Sequence, residues 1–211
     1  PLGIRDVKIY NNQIYISYQK KISENCYNLA IAKSHLEKKL NKLEFNDFFS
    51  YEECSSKKNE NAWAVLSGGR IVFKDNNIFY TIGEMAIKDV SQDENSYFGK
   101  IIKINLDNLH SPEIVAKGLR NSQGLFYDLD KDIILITDHA EVGGDEINVF
   151  KNLNEITNFG WPLASYGKPY GYKKINYLKS HANYGFKEPA YYFKEENIGI
   201  SQIIGYKMKD N

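Results

Sequence analysis

Apolar and polar residues alternate along three stretches of the chain, and a short polar turn interrupts each stretch. The stretches are residues 5–18, 70–82 and 123–137, and their turns are built from asparagine and aspartate. Alternation with a period of two is typical of half-buried strands, and Asn and Asp tolerate the positive φ that tight hairpins require. The pattern therefore predicts three β-hairpins, and residues 202–211 predict the start of a fourth.

Two more strand-like runs follow each of the first three predicted hairpins. These runs are 26–33 with 43–49, 99–106 with 113–119, and 145–150 with 188–193. Each unit thus holds about four strands, and the units begin at about residues 5, 70, 123 and 202. Four-stranded units that recur in this way are typical of the blades of a β-propeller. An ordinary β-sandwich is the alternative that the periodicity leaves open.

The fourth predicted hairpin lacks its second strand within the 211 residues. A strand edge is rarely left unpaired, and three units with part of a fourth do not close a ring. We therefore expect an all-β fold in which residues 1–211 form an incomplete propeller domain of about three and a half blades, as a fragment of a longer propeller or one completed from elsewhere.

Composition narrows the class of protein. Lys+Arg and Asp+Glu both number 27, so the formal net charge is zero. This balance argues against a nucleic-acid binder with a broad basic surface. No apolar run approaches the roughly 18 residues that a membrane span needs. The two cysteines, Cys26 and Cys54, lie outside any CxxC motif, so the residues alone leave one disulfide or two free thiols open.

The densest group of polar residues is TDHAEVGGDEIN, residues 137–148. Its two glycines let the backbone turn sharply and expose carbonyl groups, and Asp145 and Glu146 offer the hard oxygen ligands that Ca²⁺ prefers. The DxDxDG spacing of an EF-hand loop is absent. A polar hairpin loop with a solvated acidic pair is the alternative.

Two further segments offer groups that could bind a cofactor. In GLRNSQGL, residues 118–125, Arg120 could bind a carboxylate and Asn121 a carbonyl. The segment NFGWP, residues 158–162, precedes several tyrosines, among them Tyr170, that could stack on a planar cofactor or a sugar. A surface turn and a core tryptophan are the plainer interpretations of the two segments.

The order of these segments resembles the soluble quinoprotein sugar dehydrogenase family, the glucose/sorbosone dehydrogenase type. GLRNSQGL, TDHAEVGGDEINVF and NFGWPLASYG are similar to the family's G-x-R-N-P-Q-G, H/Q-G-P-x-G-G-D-E-I-N and N-Y-G-W-P. The resemblance implies a six-bladed β-propeller that oxidises small-molecule aldoses at C1 with pyrroloquinoline quinone (PQQ) and Ca²⁺. It also implies a periplasmic or secreted location, and a last part of the fold that lies beyond Asn211.

The same resemblance implies roles for individual residues. Arg120 and Asn121 match the pair that contacts PQQ, and Tyr170 falls where some aldose dehydrogenases of the family place a tyrosine on the cofactor. The backbone carbonyls of Ala140 and Glu141 match those that hold the active-site Ca²⁺ against the quinone, where the metal acts as a Lewis acid.

A second, structural Ca²⁺ is implied at Glu146 and the carbonyl of Phe159. The resemblance also implies a compartment in which disulfides persist, so we predict a Cys26–Cys54 bond. Cys26 opens the third predicted strand and Cys54 follows the fourth, which would bring the two residues together across the sheet.

The chain differs from the family at positions on which the family's catalysis depends. Leu66 stands where the family has its general-base His, the Gln near the start of the fold aligns with Pro1, and Glu141 adds a charge beside the metal. Because Leu cannot accept a proton, we assign no catalytic residue and predict a divergent member without normal PQQ-dependent aldose oxidation. Two alternatives stay open: a non-catalytic propeller that binds carbohydrate or protein, and motifs retained only to brace the fold.

Overall fold

The structure, a computed structural model, describes residues 3–36, 42–55, 65–87, 89–151, 153–171, 174–194 and 198–206. Strands dominate these residues, and the helical segments described are two short 3₁₀ turns, Val90–Gln92 and Ala182–Tyr184. The all-β prediction is confirmed. The strands are β1 (Ile4–Tyr10), β2 (Gln13–Ser23), β3 (Cys26–His35), β4 (Asn46–Phe49), β5 (Gly68–Lys74), β6 (Asn77–Ile82), β7 (Lys100–Asn105), β8 (Asn108–Lys117), β9 (Ser122–Asp128), β10 (Ile133–Asp138), β11 (Glu146–Phe150), β12 (Thr157–Asn158) and β13 (Tyr191–Tyr192).

The strands form three sheets that follow the chain. The first sheet has the order β1-β2-β3-β4, the second β5-β6-β7-β8, and the third β9-β10-β11-β13. Neighbours within these sheets are antiparallel, and β12 adds to the second sheet in parallel beside β8. The three predicted hairpins are present as β1–β2, β5–β6 and β9–β10. In the first two, Asn11-Asn12 and Asp75-Asn76 adopt the positive φ that the turns require.

The second sheet is buried on both faces. On one side Ile71 and Tyr80 pack against Leu29 and Ile31 of the first sheet. On the other side Val72 and its neighbours pack against the third sheet. Successive residues of a strand point to opposite faces, so Ile71 and Val72 contribute to different cores. The three sheets therefore stack face to face.

Arg70 links the first strand of each sheet. Its guanidinium donates hydrogen bonds to the carbonyls of Arg5 on β1, at 2.6 Å, and of Gln123 on β9. Asp6 on β1 in turn accepts the backbone N–H of Ile71 at 2.9 Å. These bonds hold β1, β5 and β9 side by side and fix the loops that precede them.

The fourth predicted hairpin is not found as a strand in residues 202–206, where that prediction is wrong. This segment passes close to β9, and a Cβ added to Gly124 would lie 3.0 Å from the backbone nitrogen of Ile203. Within the described residues it gains no ladder of hydrogen bonds, which a strand requires. Residues 207–211, the rest of the predicted hairpin, lie outside the described residues.

The predicted Cys26–Cys54 disulfide is confirmed, with a Cα–Cα distance of 5.4 Å. Its position follows from the first sheet, because Tyr27 and Ser55, the next residues along the chain, form an antiparallel bridge. Among the described residues, no helix is long and apolar enough to cross a membrane.

Candidate functional site

An open cavity of about 790 Å³ lies where the predicted cofactor and base positions meet. Leu66, Arg120, Trp161 and Tyr170 all line it, together with Glu84. Its volume falls within the range of small-molecule sites. The structure thus brings together residues that lie up to about a hundred positions apart in the sequence.

A buried carboxylate positions the loop that carries Arg120. Asp138, at the end of β10, accepts the backbone N–H groups of Arg120 at 2.9 Å and Asn121 at 2.8 Å, and the hydroxyl of Ser122 at 2.8 Å. Burial raises the pKa of Asp138, and these hydrogen bonds oppose that rise by favouring its charged form. Sequence reasoning gave Asp138 no role, although its place at a strand end next to the motif was visible.

The guanidinium of Arg120 is almost fully buried, with 4% of the residue exposed. Its Nη1 donates to the carbonyl oxygens of His139 at 3.2 Å and Ala140 at 2.5 Å. Its Nε lies 3.8 Å from Oε1 of Glu84. The guanidinium carbon is 5.4 Å from the ring centroid of Trp161, within the range of a cation–π contact. The side chain therefore faces the cavity while one nitrogen holds the loop after β10.

Asn121 turns away from Arg120. Its amide oxygen accepts the backbone N–H of Gly68 at 3.1 Å, and the residue is buried. Gly68 begins β5 two positions after Leu66, so this bond ties the two loops together. Asn121 does not occur among the described residues that line the cavity.

Glu84 is a site residue that sequence reasoning missed. It follows β6, is 8% exposed, and accepts the indole N–H of Trp161 at 2.6 Å. Its own backbone N–H donates to the carbonyl of Arg120 at 2.8 Å. Glu84 thereby places Trp161 and Arg120 on the same side of the cavity. Its signal in the sequence was a lone acidic residue at the end of an apolar strand.

Leu66 lies on the cavity wall with a left-handed backbone, φ 57°. Its carbonyl accepts the N–H of Met85 at 3.0 Å, which fixes the loop before β5. The side chain that faces the cavity here is a hydrocarbon, so it can neither accept nor donate a proton.

The carboxylate of Glu141 organises the opposite loop. Its Oε2 accepts the backbone N–H of Tyr170 at 3.0 Å and the hydroxyl of Tyr177 at 2.9 Å. Burial, and the hydrogen bond to Glu141, raise the pKa of Tyr177. The neighbouring Ala140 donates its N–H to Asp145 at 3.0 Å. The charge that Glu141 adds is therefore used within the protein to hold the tyrosine loop.

Glu146 and Phe159 line a second, much smaller cavity of about 10 Å³, which is about the size of one water molecule. Oε2 of Glu146 accepts the amide of Asn148 at 3.0 Å, and Oε1 lies 3.5 Å from Nε2 of the fully buried His181. Burial raises the pKa of Glu146 to about 8. Sequence reasoning missed His181, which is 35 residues away along the chain.

The structure places both residues of the predicted structural metal site together. The described residues contain no group of three or more His, Cys, Asp or Glu side chains that could hold a metal ion. A cation at Glu146 would therefore depend on this carboxylate, on Asp138, which lines the same cavity, and on backbone carbonyl oxygens.

Comparison with known proteins extends this picture. The chain is 27% identical over 200 residues to the aldose sugar dehydrogenase YliI of Escherichia coli strain K12, covering 88% of this chain and 51% of that protein. The chain thus spans about half the length of this relative.

Solved structures show a similar fold. A glucose dehydrogenase superposes with a TM-score of 0.75 at 23% identity, covering 92% of this chain and 59% of that one. The PQQ-bound aldose sugar dehydrogenase of Streptomyces coelicolor superposes with a TM-score of 0.62 at 22% identity, covering 87% and 50%. These likenesses concern the fold.

The family of this chain is assigned by a sequence model built for a whole protein family. The sequence model described as glucose/sorbosone dehydrogenase matches residues 6–210, nearly the full length of the chain. This protein therefore belongs to the glucose/sorbosone dehydrogenase family.

Proposed function

We propose that this chain forms part of a PQQ-dependent oxidoreductase that takes hydride from C1 of a small-molecule aldose. The observation that carries the proposal is the cavity that unites Arg120, Trp161 and Tyr170. Membership of the family and the likeness to a PQQ-bound aldose sugar dehydrogenase support it. The three sheets and the segment from about residue 202 would then be parts of a six-bladed propeller. The disulfide supports a periplasmic or secreted location, since such bonds persist in oxidising compartments.

The residues of the cavity fit a planar, polyanionic group such as PQQ. Nε of Arg120 is buried and has no hydrogen-bond partner among the described residues, so it is a donor available for a carboxylate. The hydroxyl of Tyr170 lies 3.5 Å from Nη2 of Arg120, and Trp161 supplies an aromatic wall. Asn121, which the resemblance assigns to the cofactor, instead accepts the N–H of Gly68 and would support the cavity from behind its wall. When bound, PQQ would supply the two-electron acceptor.

The pair of Glu146 and Phe159 fits a structural Ca²⁺. Its carboxylate is buried without a full positive charge beside it, and burial raises the pKa of Glu146 to about 8, so at neutral pH the group holds a proton. A cation in the adjoining cavity could take the place of that proton. We propose this exchange as the role of the site.

Catalytic proton transfer is where this chain differs from its family. The proton of the sugar's C1 hydroxyl needs an acceptor within hydrogen-bond reach, and Leu66 offers none. Glu84 is the buried carboxylate of the cavity, but the indole of Trp161 and the guanidinium of Arg120 both stabilise its charge. We therefore propose a divergent member whose aldose oxidation is slow.

The test is a PQQ titration of the chain, followed by quenching of tryptophan fluorescence. We expect saturable binding that weakens at least tenfold in Arg120→Met. The control is Lys103→Met, which removes a cation paired with Glu113 between β7 and β8. The absence of saturable PQQ binding would overturn the proposal. Binding of a carbohydrate in its place would support the non-catalytic propeller, which the hydrocarbon wall at Leu66 favours.

A further inference from the structure

The carbonyl group of Ala140 already has a cationic partner in this chain. By resemblance it is one of the two carbonyls that would hold an active-site Ca²⁺. In the structure its oxygen accepts a hydrogen bond from Nη1 of Arg120 at 2.5 Å, and the same nitrogen lies 3.2 Å from the carbonyl oxygen of His139. A buried positive charge therefore holds one of the two carbonyls that were predicted to bind the metal, together with the carbonyl that precedes it.

A calcium ion and this guanidinium cannot occupy the position together. Ca²⁺ binds oxygen at about 2.3–2.6 Å, which is close to the distance between Nη1 and the oxygen of Ala140. An ion bound to that carbonyl would overlap the nitrogen or sit beside a like charge, in a place where little water screens the repulsion.

Arg120 is held in this position from several sides. Asp138 fixes its backbone, Glu84 lies 3.8 Å from Nε, and Trp161 faces the guanidinium. For the guanidinium to leave, a buried cation would have to be moved away from Glu84 and from both carbonyls.

The loop also lacks a carboxylate that is ready to complete a calcium shell. Glu141 directs Oε2 to the N–H of Tyr170 and to the hydroxyl of Tyr177. Asp145, the next carboxylate, accepts the N–H groups of Ala140 and Gly199 with its two oxygens. Ca²⁺ takes six to eight oxygen ligands, so a site whose carboxylates are already engaged depends on its carbonyls, and Arg120 occupies one of them.

We propose that the guanidinium of Arg120 is the resident cation of the His139–Ala140 carbonyl pair, and that this position does not take Ca²⁺. The expected active-site metal is thus replaced by a side chain of the same chain. The inference rests on the proposed function only in treating the carbonyl of Ala140 as part of the family's cation position.

The test uses Tb³⁺, a hard cation that substitutes for Ca²⁺ and emits when a nearby tryptophan transfers energy to it. Trp161 lies beside the position in question. All variants carry Glu146→Gln, which removes the other candidate cation site. In this background we expect no saturable Tb³⁺ emission. Adding Arg120→Met should free the carbonyls and produce a saturable Tb³⁺ signal that Ca²⁺ displaces. The affinity for Tb³⁺ should be at least tenfold higher than in Glu146→Gln alone.

Two further variants make the result specific. Lys103→Met removes a cation elsewhere and should produce no such signal, whereas Arg120→Lys keeps a positive charge and should still exclude Tb³⁺. Circular dichroism and the mid-point of urea unfolding show whether each variant is folded. A saturable, Ca²⁺-displaced signal with Arg120 intact would overturn the proposal, and so would equal signals in Arg120→Met and Lys103→Met.

A parallel titration separates this inference from the proposed function. PQQ should bind the wild-type chain with the same affinity, within twofold, in EGTA and in millimolar Ca²⁺. A tenfold or greater gain with Ca²⁺ would overturn the inference and leave PQQ binding intact. If PQQ does not bind at all, the proposed function fails, and the Tb³⁺ result alone decides the inference.

Discussion

Two regions of this chain, the carbonyls of Ala140 and Glu141 and the pair of Glu146 and Phe159, were predicted to bind calcium, and they differ in how their charge is satisfied. In the first region, the guanidinium of Arg120 already supplies a cation to the carbonyls of His139 and Ala140. At Glu146 and Phe159, a buried carboxylate lies beside a small cavity, and burial raises its pKa to about 8. Neutral carbonyls next to an arginine need no metal, whereas a buried carboxylate needs either a proton or a cation.

The difference shows why a motif alone does not define a metal site. The segment TDHAEVGGDEIN contributes to both regions, but the group that separates them is Arg120, which lies 20 residues before Ala140. A likeness at one loop therefore carries over to the metal only when the residues packed against that loop are also known.

The largest effect is expected from Leu66→His, which places a base on the cavity wall. General-base catalysis contributes about 10²- to 10⁴-fold, so aldose-dependent dye reduction with PQQ should rise by that order. The comparison of the two regions predicts that this increase in dye reduction does not depend on added Ca²⁺, because Arg120 would provide the cation at the carbonyl of Ala140. Leu66→Gln, which is polar but has no basic group, is the control.

Ordinary turnover by the wild-type chain, about 1–10³ per second, would contradict the proposal that this chain lacks a general base at Leu66. A gain in Leu66→His that vanishes in EGTA would instead contradict the comparison between the two regions.

The pH dependence of stability sharpens the account of Glu146. Its pKa of about 8 in the folded protein lies above the ordinary value of 4.5, so the folded state holds a proton that the unfolded state has lost between these values. The stabilisation is full below about pH 4.5 and is lost as pH rises to 8, by at most about 5 kcal/mol at 1.36 kcal/mol per unit. Urea unfolding between pH 5 and 8 measures it.

Glu146→Gln should flatten this slope, and Ca²⁺ should flatten it in the wild-type chain, because a cation replaces the proton. Glu94 provides the control, because its ion pair with Lys117 lowers its pKa and Glu94→Gln should leave the slope above pH 5 unchanged. A slope that survives in Glu146→Gln would mean that another group titrates, and this account of the second region would be wrong.

Asp138→Ala should remove the support of Arg120. It leaves the N–H groups of Arg120 and Asn121 without their buried acceptor, and we expect a loss of about 3 kcal/mol in the free energy of unfolding. Ser122→Ala removes one of the three hydrogen bonds and should cost about 1 kcal/mol. Equal losses in the two variants would show that Asp138 does not organise the loop.

Much of the fold could be predicted from the sequence, because the features that define a hairpin lie within a few neighbouring residues. Alternating residues and Asn or Asp turns gave the three hairpins, and the positions of Cys26 and Cys54 agreed with a bond between them. The prediction of a fourth hairpin was wrong at residues 202–206 because a strand also needs a partner, which periodicity does not provide.

The site was predicted less completely for the same physical reason. Arg120 and Tyr170 stood in recognisable segments, and both line the cavity. Glu84, Asp138 and His181 act through contacts between distant parts of the chain, and their own sequence surroundings carry no special pattern. The contact of Arg120 with Ala140 is likewise a result of packing.

The smallest effect is expected from Glu84→Gln. The amide oxygen can still accept the indole N–H of Trp161, but the negative charge 3.8 Å from Arg120 is lost. Arg120 would then be freer to bind an anion, and PQQ affinity should rise about three- to tenfold, or roughly 1 kcal/mol. Weaker PQQ binding in Glu84→Gln would indicate that Glu84 itself contacts the cofactor.

The stoichiometry of calcium binding tests the central comparison most directly. Equilibrium dialysis of the wild-type chain against Ca²⁺, with and without PQQ, should give one tightly bound ion per chain. The ion should be lost in Glu146→Gln, and a second should be gained in Arg120→Met. Two ions in the wild-type chain, or one that persists in Glu146→Gln, would contradict the claim that Arg120 takes the place of the active-site metal.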